Sequence, residues 1–326
     1  MKLIITGATG FIGTNLILSL LNEKKISKII FIDNFKTSSK KNLNIIKYFD
    51  SRNITKFYKL SINENNLVNK LKLNNNFDIL IHLAAQSSGE NSFHEPIYDI
   101  DTNICGTINV IDLAKKLNVK KIIYTSTMSV YGNVKVKRRI KENYQTKPTS
   151  IYGVSKLTSE RIVRSLCYER KIKFTILRLF NVYGSYQDLS NMKQGMLSIY
   201  LSYLINRREL LVKGSLERYR DFIYIDDLTN AFKKLIYKKS HNKTYNIGSG
   251  NKTSVKKLIK LLIKYLNLKP KEVKIKIGKN TPGDVIGFIS NSDSFKKDYK
   301  WEPKTNIEEG IFKTINFYKN EKKSNL

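Results

Sequence analysis

The sequence predicts an α/β protein: a doubly wound parallel sheet joined to a smaller α/β domain toward the C-terminus. Three observations point there. Short, continuous apolar runs alternate with longer helical patterns through the first half of the 326 residues. A glycine cluster, TGATGFIG at 6–13, separates the first apolar run from the first helical pattern. An acid, Asp33, ends the second apolar run.

The apolar runs KLIIT (2–6), KIIFID (28–33), KFYKL (56–60), DILIHL (78–83), KIIYTS (121–126) and FTILRL (174–179) read as strands. Their length and continuity fit strands buried on both faces of a parallel sheet. Helical spacing at 11–22, 64–73, 99–117 and 150–170 supplies the right-handed crossovers. In the second half, helices are predicted near 193–206, 226–237, 253–266 and 306–319. Short strands are predicted near 210–213, 221–225, 244–247 and 273–277. No internal repeat or long linker interrupts the chain, and the tail KNEKKSNL (319–326) is expected to fray.

Composition narrows the function classes. Hydrophobic residues make up 41%, enough for a sizeable core. No apolar run approaches the roughly 18 residues of a membrane span, and the N-terminus reads as a strand rather than a signal peptide. Two cysteines, Cys105 and Cys167, fall in helical patterns as packing residues and suit a reducing cytoplasm. The net charge is +32, mostly lysine spread along the whole chain beside abundant Asn and Ile, the pattern of A/T-rich coding. Its densest run, Lys135, Lys137, Arg138, Arg139 and Lys141, reads as solvated surface. No nucleic-acid or membrane partner is therefore expected, although the charge attracts anionic substrates. His82, His94 and His241 lack metal-ligand spacing, and no metal site is expected.

Gly7, Gly10 and Gly13 lie between a strand and a helix. There they permit a tight turn, close approach of a pyrophosphate, and packing of the helix on the sheet, with the helix N-terminus facing the anion. The spacing differs from G-x-G-x-x-G. Asp33, twenty residues past Gly13, is placed to accept ribose hydroxyls and to repel a 2′-phosphate, which favours NAD. Lys36, Lys40 and Lys41 pull the other way, toward tolerance of a phosphate.

With HLAAQ (82–86), DTNICGT (101–107), YTSTMSVYG (124–132), YGVSK (152–156), RLFNVYG (178–184) and YRDFIYIDDL (219–228), these motifs resemble the extended short-chain dehydrogenase/reductase family of NAD-dependent sugar-nucleotide epimerases and dehydratases. The resemblance covers residues 1–318, and UDP-glucose 4-epimerase-type members are the most similar. It implies a Rossmann cofactor domain of residues 1–180 plus about 221–250. Residues from about 181–220 and 251–326 then form an interleaved substrate domain. The implied NAD contacts are Gly7, Gly10, Phe11, Ile12, Gly13, Asp33, Asn34, Ser38, Ile62, Leu83, Ala84, Ala85, Asn103, Thr125, Tyr152 and Lys156. Asn103 matches an asparagine that steadies the central helix, and Ser61 stands where many members place an aspartate beside the adenine.

Tyr152 and Lys156 sit at i and i+4, on one helical face. A neighbouring ammonium and a positive nicotinamide are expected to lower the phenol's pKa so that Tyr152 serves as a base near neutral pH. Lys156 also bonds the nicotinamide ribose in the family, and Thr127 matches the hydroxyl that holds the reacting substrate oxygen. Family 4,6-dehydratases carry an Asp-Glu pair directly after that threonine, and uronate decarboxylases a glutamate two residues after it. Here Met128 and Ser129 occupy those positions. Neither residue supplies the acid and base of water elimination, which leaves epimerisation at C4, another epimerisation, or carbonyl reduction. The implied substrate contacts are Gln86, Ser126, Thr127, Asn181, Arg220 and Asp284, with Arg220 on the diphosphate and Thr281 where an arginine is usual. The resemblance also implies a homodimer pairing the helices near 99–117 and 150–170. A non-catalytic cofactor- or nucleic-acid-binding protein on the same fold is the contrasting reading, but it has no use for Thr127, Tyr152 and Lys156 together.

Overall fold

The computed structural model describes residues 1–324 apart from 65, 74, 75, 135, 137, 207 and 281–284. In chain order, the cofactor-side half runs β1 (Lys2–Thr6), α1 (Phe11–Leu20), β2 (Lys28–Asp33), α2 (Lys40–Phe49), β3 (Thr55–Lys59), α3 (Leu67–Leu71), β4 (Ile79–His82), α4 (Gly89–His94) and α5 (Pro96–Ile100). A π-helical segment, Asp101–Cys105, then leads into α6 (Gly106–Lys116), β5 (Lys121–Thr127), a 3₁₀ turn (Met128–Tyr131), α7 (Ile151–Glu169) and β6 (Lys173–Leu179). The second half runs β7 (Asn181–Tyr183), α8 (Met196–Ile205), β8 (Leu210–Lys213), β9 (Tyr219–Arg220), β10 (Phe222–Tyr224), α9 (Ile225–Tyr237), β11 (Lys243–Ile247), β12 (Thr253–Ser254), α10 (Val255–Leu266), β13 (Ile275–Gly278), α11 (Asp293–Tyr299) and α12 (Ile307–Ser324).

Seven strands form one parallel sheet in the order β11-β6-β5-β4-β1-β2-β3. The doubly wound sheet expected from the sequence is therefore present. Alternate side chains feed opposite faces, as a period of two requires. Leu3 and Ile5 join Leu16 and Ile17 of α1 and Phe232 of α9 on one side. Ile4 joins Val110 and Leu113 of α6 and Val163 of α7 on the other. The strand order reverses between β1 and β4, and a crevice opens beyond the C-terminal ends of those strands. The remaining strands pair two by two: β7 with β10, β9 with β12, and β8 with β13. The core is continuous with this smaller part, because Leu201, Leu258 and Ile311 belong to the same apolar cluster as Leu3.

The structure corrects several expectations. Helix α2 was not predicted: KKNLNIIKYF buries only Leu43 and Ile46, too narrow a stripe to stand out among lysines and asparagines. Helix α11 is a seven-residue segment that buries Phe295 and Tyr299. The single helix expected at 99–117 begins at Pro96 and is interrupted by the π segment around Asn103. The tail does not fray at 319. Helix α12 continues to Ser324, tied by Tyr318 to the Gln187 carbonyl and by a 2.8 Å Glu321–Lys41 ion pair. Cys167 is buried, but Cys105 is exposed and does not pack as expected. Both cysteines are free. Among the described residues, no helix is long and apolar enough to cross a membrane, and no His/Cys/Asp/Glu group could hold a metal ion.

Candidate active site

A cavity of about 1000 Å³ runs from the glycine loop to the smaller part of the molecule. Its cofactor end is shaped by backbone. Gly7 has φ +67°, and a methyl group there would lie 2.5 Å from the Ala84 nitrogen. A methyl at Gly13 would meet the Gly7 and Ala8 carbonyl oxygens at the same distance. Gly10 precedes α1 with no side-chain cap, and the first turn holds no acid. The helix N–H groups and positive end are thus left for an anion. Asp33 closes β2 with its carboxylate accepting from Thr9 N (3.0 Å), Phe35 N (2.9 Å) and Ser38 Oγ (2.8 Å). These features fit a dinucleotide whose pyrophosphate lies at α1 and whose ribose lies at Asp33.

Phe11, Ile12, Asn34, Ser38, Ile62, Leu83, Ala84, Ala85 and Thr125 line this cavity with the glycines and Asp33. Asn103 does not. It lies behind the wall and donates to the Gln86 carbonyl (3.1 Å) and Ser155 Oγ (3.0 Å). Its carbonyl accepts from Thr107 and Ser159 hydroxyls, both at 2.6 Å. Asn103 therefore ties the π segment to α7 from outside the cavity lining. Ser61 accepts a 3.4 Å bond from Asn34.

Thr127, Tyr152 and Lys156 converge at the end of β5 and the first turns of α7, all lining the cavity. Ser150 caps α7 through Gly153 N at 3.1 Å, which fixes the entry of the helix. Thr127 Oγ1 donates to Ser129 Oγ at 3.2 Å and accepts from Ser129 N at 3.1 Å. Burial pushes Tyr152 up to about 12, with the nearby Thr127 hydroxyl opposing and the Asp99 charge adding to it. The expected lowering by Lys156 is not seen in the protein alone. Burial likewise depresses Lys156 to about 7, with Glu160 and then Asp99 pulling it back up. A half-neutral lysine exerts a weaker pull on a phenol. The Lys156 Nζ sits 4.3 Å from the centre of the Tyr124 ring. His82 is a core residue, bonded by Thr6 Oγ1 at 2.7 Å and Thr107 Oγ1 at 3.2 Å, and is held neutral by burial and then by Lys156.

At the far end the cavity meets Asn181, Arg218 and Arg220. Asn181 Nδ2 donates to the Asp221 carbonyl at 3.1 Å and to Met128 Sδ at 3.3 Å. Arg220 donates to the Tyr219 and Ile286 carbonyls at 2.8 and 3.2 Å. The Asp221 carboxylate instead serves Ser249, Gly250 and Ser290. Burial and the nearby Arg218 lower Arg220 to about 10. Ser126 lines the cavity but commits its hydroxyl to Glu160 at 2.5 Å. Gln86 does not line the cavity, because its amide donates to Ser88 O and Asp99 Oδ2. Asp284 and Thr281, like Lys135 and Lys137 of the basic run, lie outside the described residues.

Sequence reasoning missed three features here. Arg218, immediately before β9, joins Arg220 in the cavity lining. Glu90, also in the lining, pairs with Lys213 at 2.8 Å. Arg178, a charge inside the apolar run FTILRL, pairs with Glu160 at 2.7 Å, both buried. That misplaced charge was the available signal.

A family model described as GDP-mannose 4,6 dehydratase matches residues 4–314. The chain belongs to that family. Members similar to it catalyse different reactions. UDP-glucose 4-epimerase of Bacillus subtilis is 26% identical over 326 residues, 95% of this chain and 94% of that one. Human dTDP-D-glucose 4,6-dehydratase is 29% identical over 323 residues, 98% and 90% respectively. Among solved structures, UDP-glucose 4-epimerase of the hyperthermophile Thermotoga maritima, with UDP-glucose, superposes with a TM-score of 0.89 at 31% identity. That match covers 98% of this chain and 99% of that one. The GDP-mannose 4,6 dehydratase family thus places the chain among sugar-nucleotide epimerases and dehydratases, on the α/β fold described above.

Proposed function

We propose that the protein is an NAD-dependent epimerase of a nucleotide sugar, acting at C4 through a transient 4-keto sugar. The observation that carries this is Met128-Ser129 immediately after Thr127. The Met128 sulfur accepts from Asn181, and Ser129 N bonds Thr127 Oγ1 at 3.1 Å. No carboxyl group stands there to take a C5 proton or protonate a leaving hydroxyl, so dehydration lacks its acid and base.

NAD, bound along the glycine loop, supplies the redox chemistry and a positive ring charge. Asp33, fixed by three donors, faces the adenosine ribose and disfavours a 2′-phosphate. Of the lysines that pull toward a phosphate, Lys41 pairs with Glu321, and Lys36 lies 5.0 Å from the Tyr98 ring centre. Thr127 holds the C4 oxygen, and Tyr152 takes its proton and later returns it. Lys156 orients the nicotinamide ribose. Asn181 and Arg220 hold the sugar diphosphate, a role that suits a guanidinium fork. The interleaved division of the chain near residues 180, 220 and 250 follows from this reading. So does a cytoplasmic homodimer whose two-fold contact uses α5, α6 and α7. Exposed Ile97, Ile100 and Val154 on those elements support that contact.

Proton NMR of the purified protein with UDP-, dTDP-, CDP- and GDP-hexoses, with no cofactor added, tests this. A product of unchanged mass with C4 inverted is expected. A 4-keto-6-deoxy product would overturn the reading in favour of dehydration. Turnover only with added NADH or NADPH would make the enzyme a ketoreductase.

A further inference from the structure

Three polar links join the segment after β4 to the second half of the chain. Lys213 Nζ of β8 donates to both carboxylate oxygens of Glu90 in α4, at 2.8 and 2.9 Å. Ser88 Oγ donates to the Lys193 carbonyl at 3.1 Å. Gln194 Nε2 donates to Ser87 Oγ at 2.8 Å. All six residues line the cavity. The Lys213 and Glu90 side chains are also 43% and 31% exposed, so the pair meets solvent as well as the cavity. It therefore sits at the mouth.

The two sides of this mouth are not equally fixed. On one side Gln86 grips the Ser88 backbone twice, accepting from its nitrogen at 2.5 Å and donating to its carbonyl at 2.9 Å. The Gln86 amide is anchored in turn on Asp99 at 2.7 Å. On the other side Gln194 is followed by Gly195 and Lys213 by Gly214, each with a φ of +85° that favours glycine. Residues of this kind at the ends of elements absorb the backbone rotation that opening needs. A partly exposed ion pair is also weak enough to break and re-form.

We infer that Glu90 and Lys213 form a clasp at the cavity mouth, which keeps the nucleotide sugar and its ketone intermediate from leaving before the second hydride transfer. The inference rests on the epimerase reading given above. After the first transfer the C4 hydride is on NAD and the hydroxyl proton is on Tyr152. A ketose that left at that point would strand two electrons on the cofactor and halt the enzyme. Glu90 and Lys213 thus act on each other to retain the sugar, and neither is a catalytic residue.

Surface plasmon resonance on the immobilised full chain, with UDP, dTDP, CDP and GDP as probes, tests the clasp apart from the chemistry. For a probe that binds, Glu90→Gln and Lys213→Gln should each speed both association and release about two- to fivefold, the leverage of one partly exposed ion pair. The exchanged pair, Glu90→Lys with Lys213→Glu, should restore the parent rates, and it serves if a single variant does not fold. Faster release with unchanged association would make the two residues direct ligand contacts and overturn the clasp. Unchanged rates, or an exchanged pair that rescues nothing, would overturn it as well. With a nucleotide sugar that turns over, each single variant should also accumulate reduced cofactor, read by nicotinamide absorbance. If the rates change as expected but no reduced cofactor builds up, the clasp stands and the ketone intermediate fails. If none of the four probes binds the parent protein, the nucleotide-sugar reading fails and the clasp with it.

Discussion

The two ends of the cavity are built differently. The cofactor end is backbone: a parallel sheet in strict register, a positive φ at Gly7, and a helix N-terminus free of side-chain caps. The far end is side chain: Asn181, Arg218 and Arg220 on short strands and connections, with a Glu90–Lys213 ion pair also in the lining. A backbone site admits few changes because a methyl group has nowhere to go. A side-chain site can be re-cut residue by residue while the sheet stands. One sheet can therefore carry relatives that epimerise and relatives that dehydrate.

The sharpest way to probe this contrast is at the junction of the two ends. Tyr152→Phe removes only a hydroxyl, and kcat should fall about 10²–10⁴-fold with cofactor binding and melting temperature unchanged. Appreciable residual turnover would show that another group moves the proton. Next in size is Gly7→Ala. The positive φ alone costs about 1–3 kcal/mol, and the contact with Ala84 adds to it. Calorimetry should show a lower melting temperature together with loss of bound cofactor. Wild-type stability would mean that the backbone end is less rigid than its geometry indicates. Arg220→Gln should do the reverse, weakening binding of the substrate's nucleoside diphosphate about tenfold or more in titration calorimetry while cofactor affinity holds. Equal loss of both ligands would erase the distinction between the ends.

The smallest effect compares two buried lysines. Lys121, at the start of β5, is depressed to about 8 by burial, and it donates to the carbonyls of Leu235, Ile236 and Lys238 at the end of α9. Its folded value lies below the unfolded value of roughly 10.4. Between the two the unfolded chain binds more protons, so stability rises with pH through that window. Urea melts between about pH 8 and 10 should show this slope, and Lys121→Met should flatten it. A slope unchanged in the variant would assign it to Lys156, which burial also depresses.

Much of the cofactor end was legible because it depends on local pattern. Glycines at 7, 10 and 13 and an acid at the end of the second strand are visible in one dimension. The sheet strands were legible for the same reason, since burial on both faces leaves unbroken apolar runs. Side-chain commitments were not. Gln86, Ser126 and Asn103 look like contacts in sequence, but their donors go to Asp99, Glu160 and Ser155 within the protein, and of the three only Ser126 lines the cavity. Those partners lie 13 to 52 residues away and come together only when α5, α7 and β5 pack. The poise of Tyr152 and Lys156 was illegible likewise. A four-residue spacing shows that the two share a face, but the degree of burial that sets their protonation belongs to the finished fold.

Strand β11 has one more consequence. It pairs with β6, but the whole stretch from β7 to α9 lies between them in the chain. While the protein is being synthesised, β6 is an open sheet edge until residues 243–247 emerge. At about 5–20 residues per second, that exposure lasts several seconds. The stretch from β7 to α9 is thus also a timer, since its length sets how long the nascent sheet must wait before its last edge is covered.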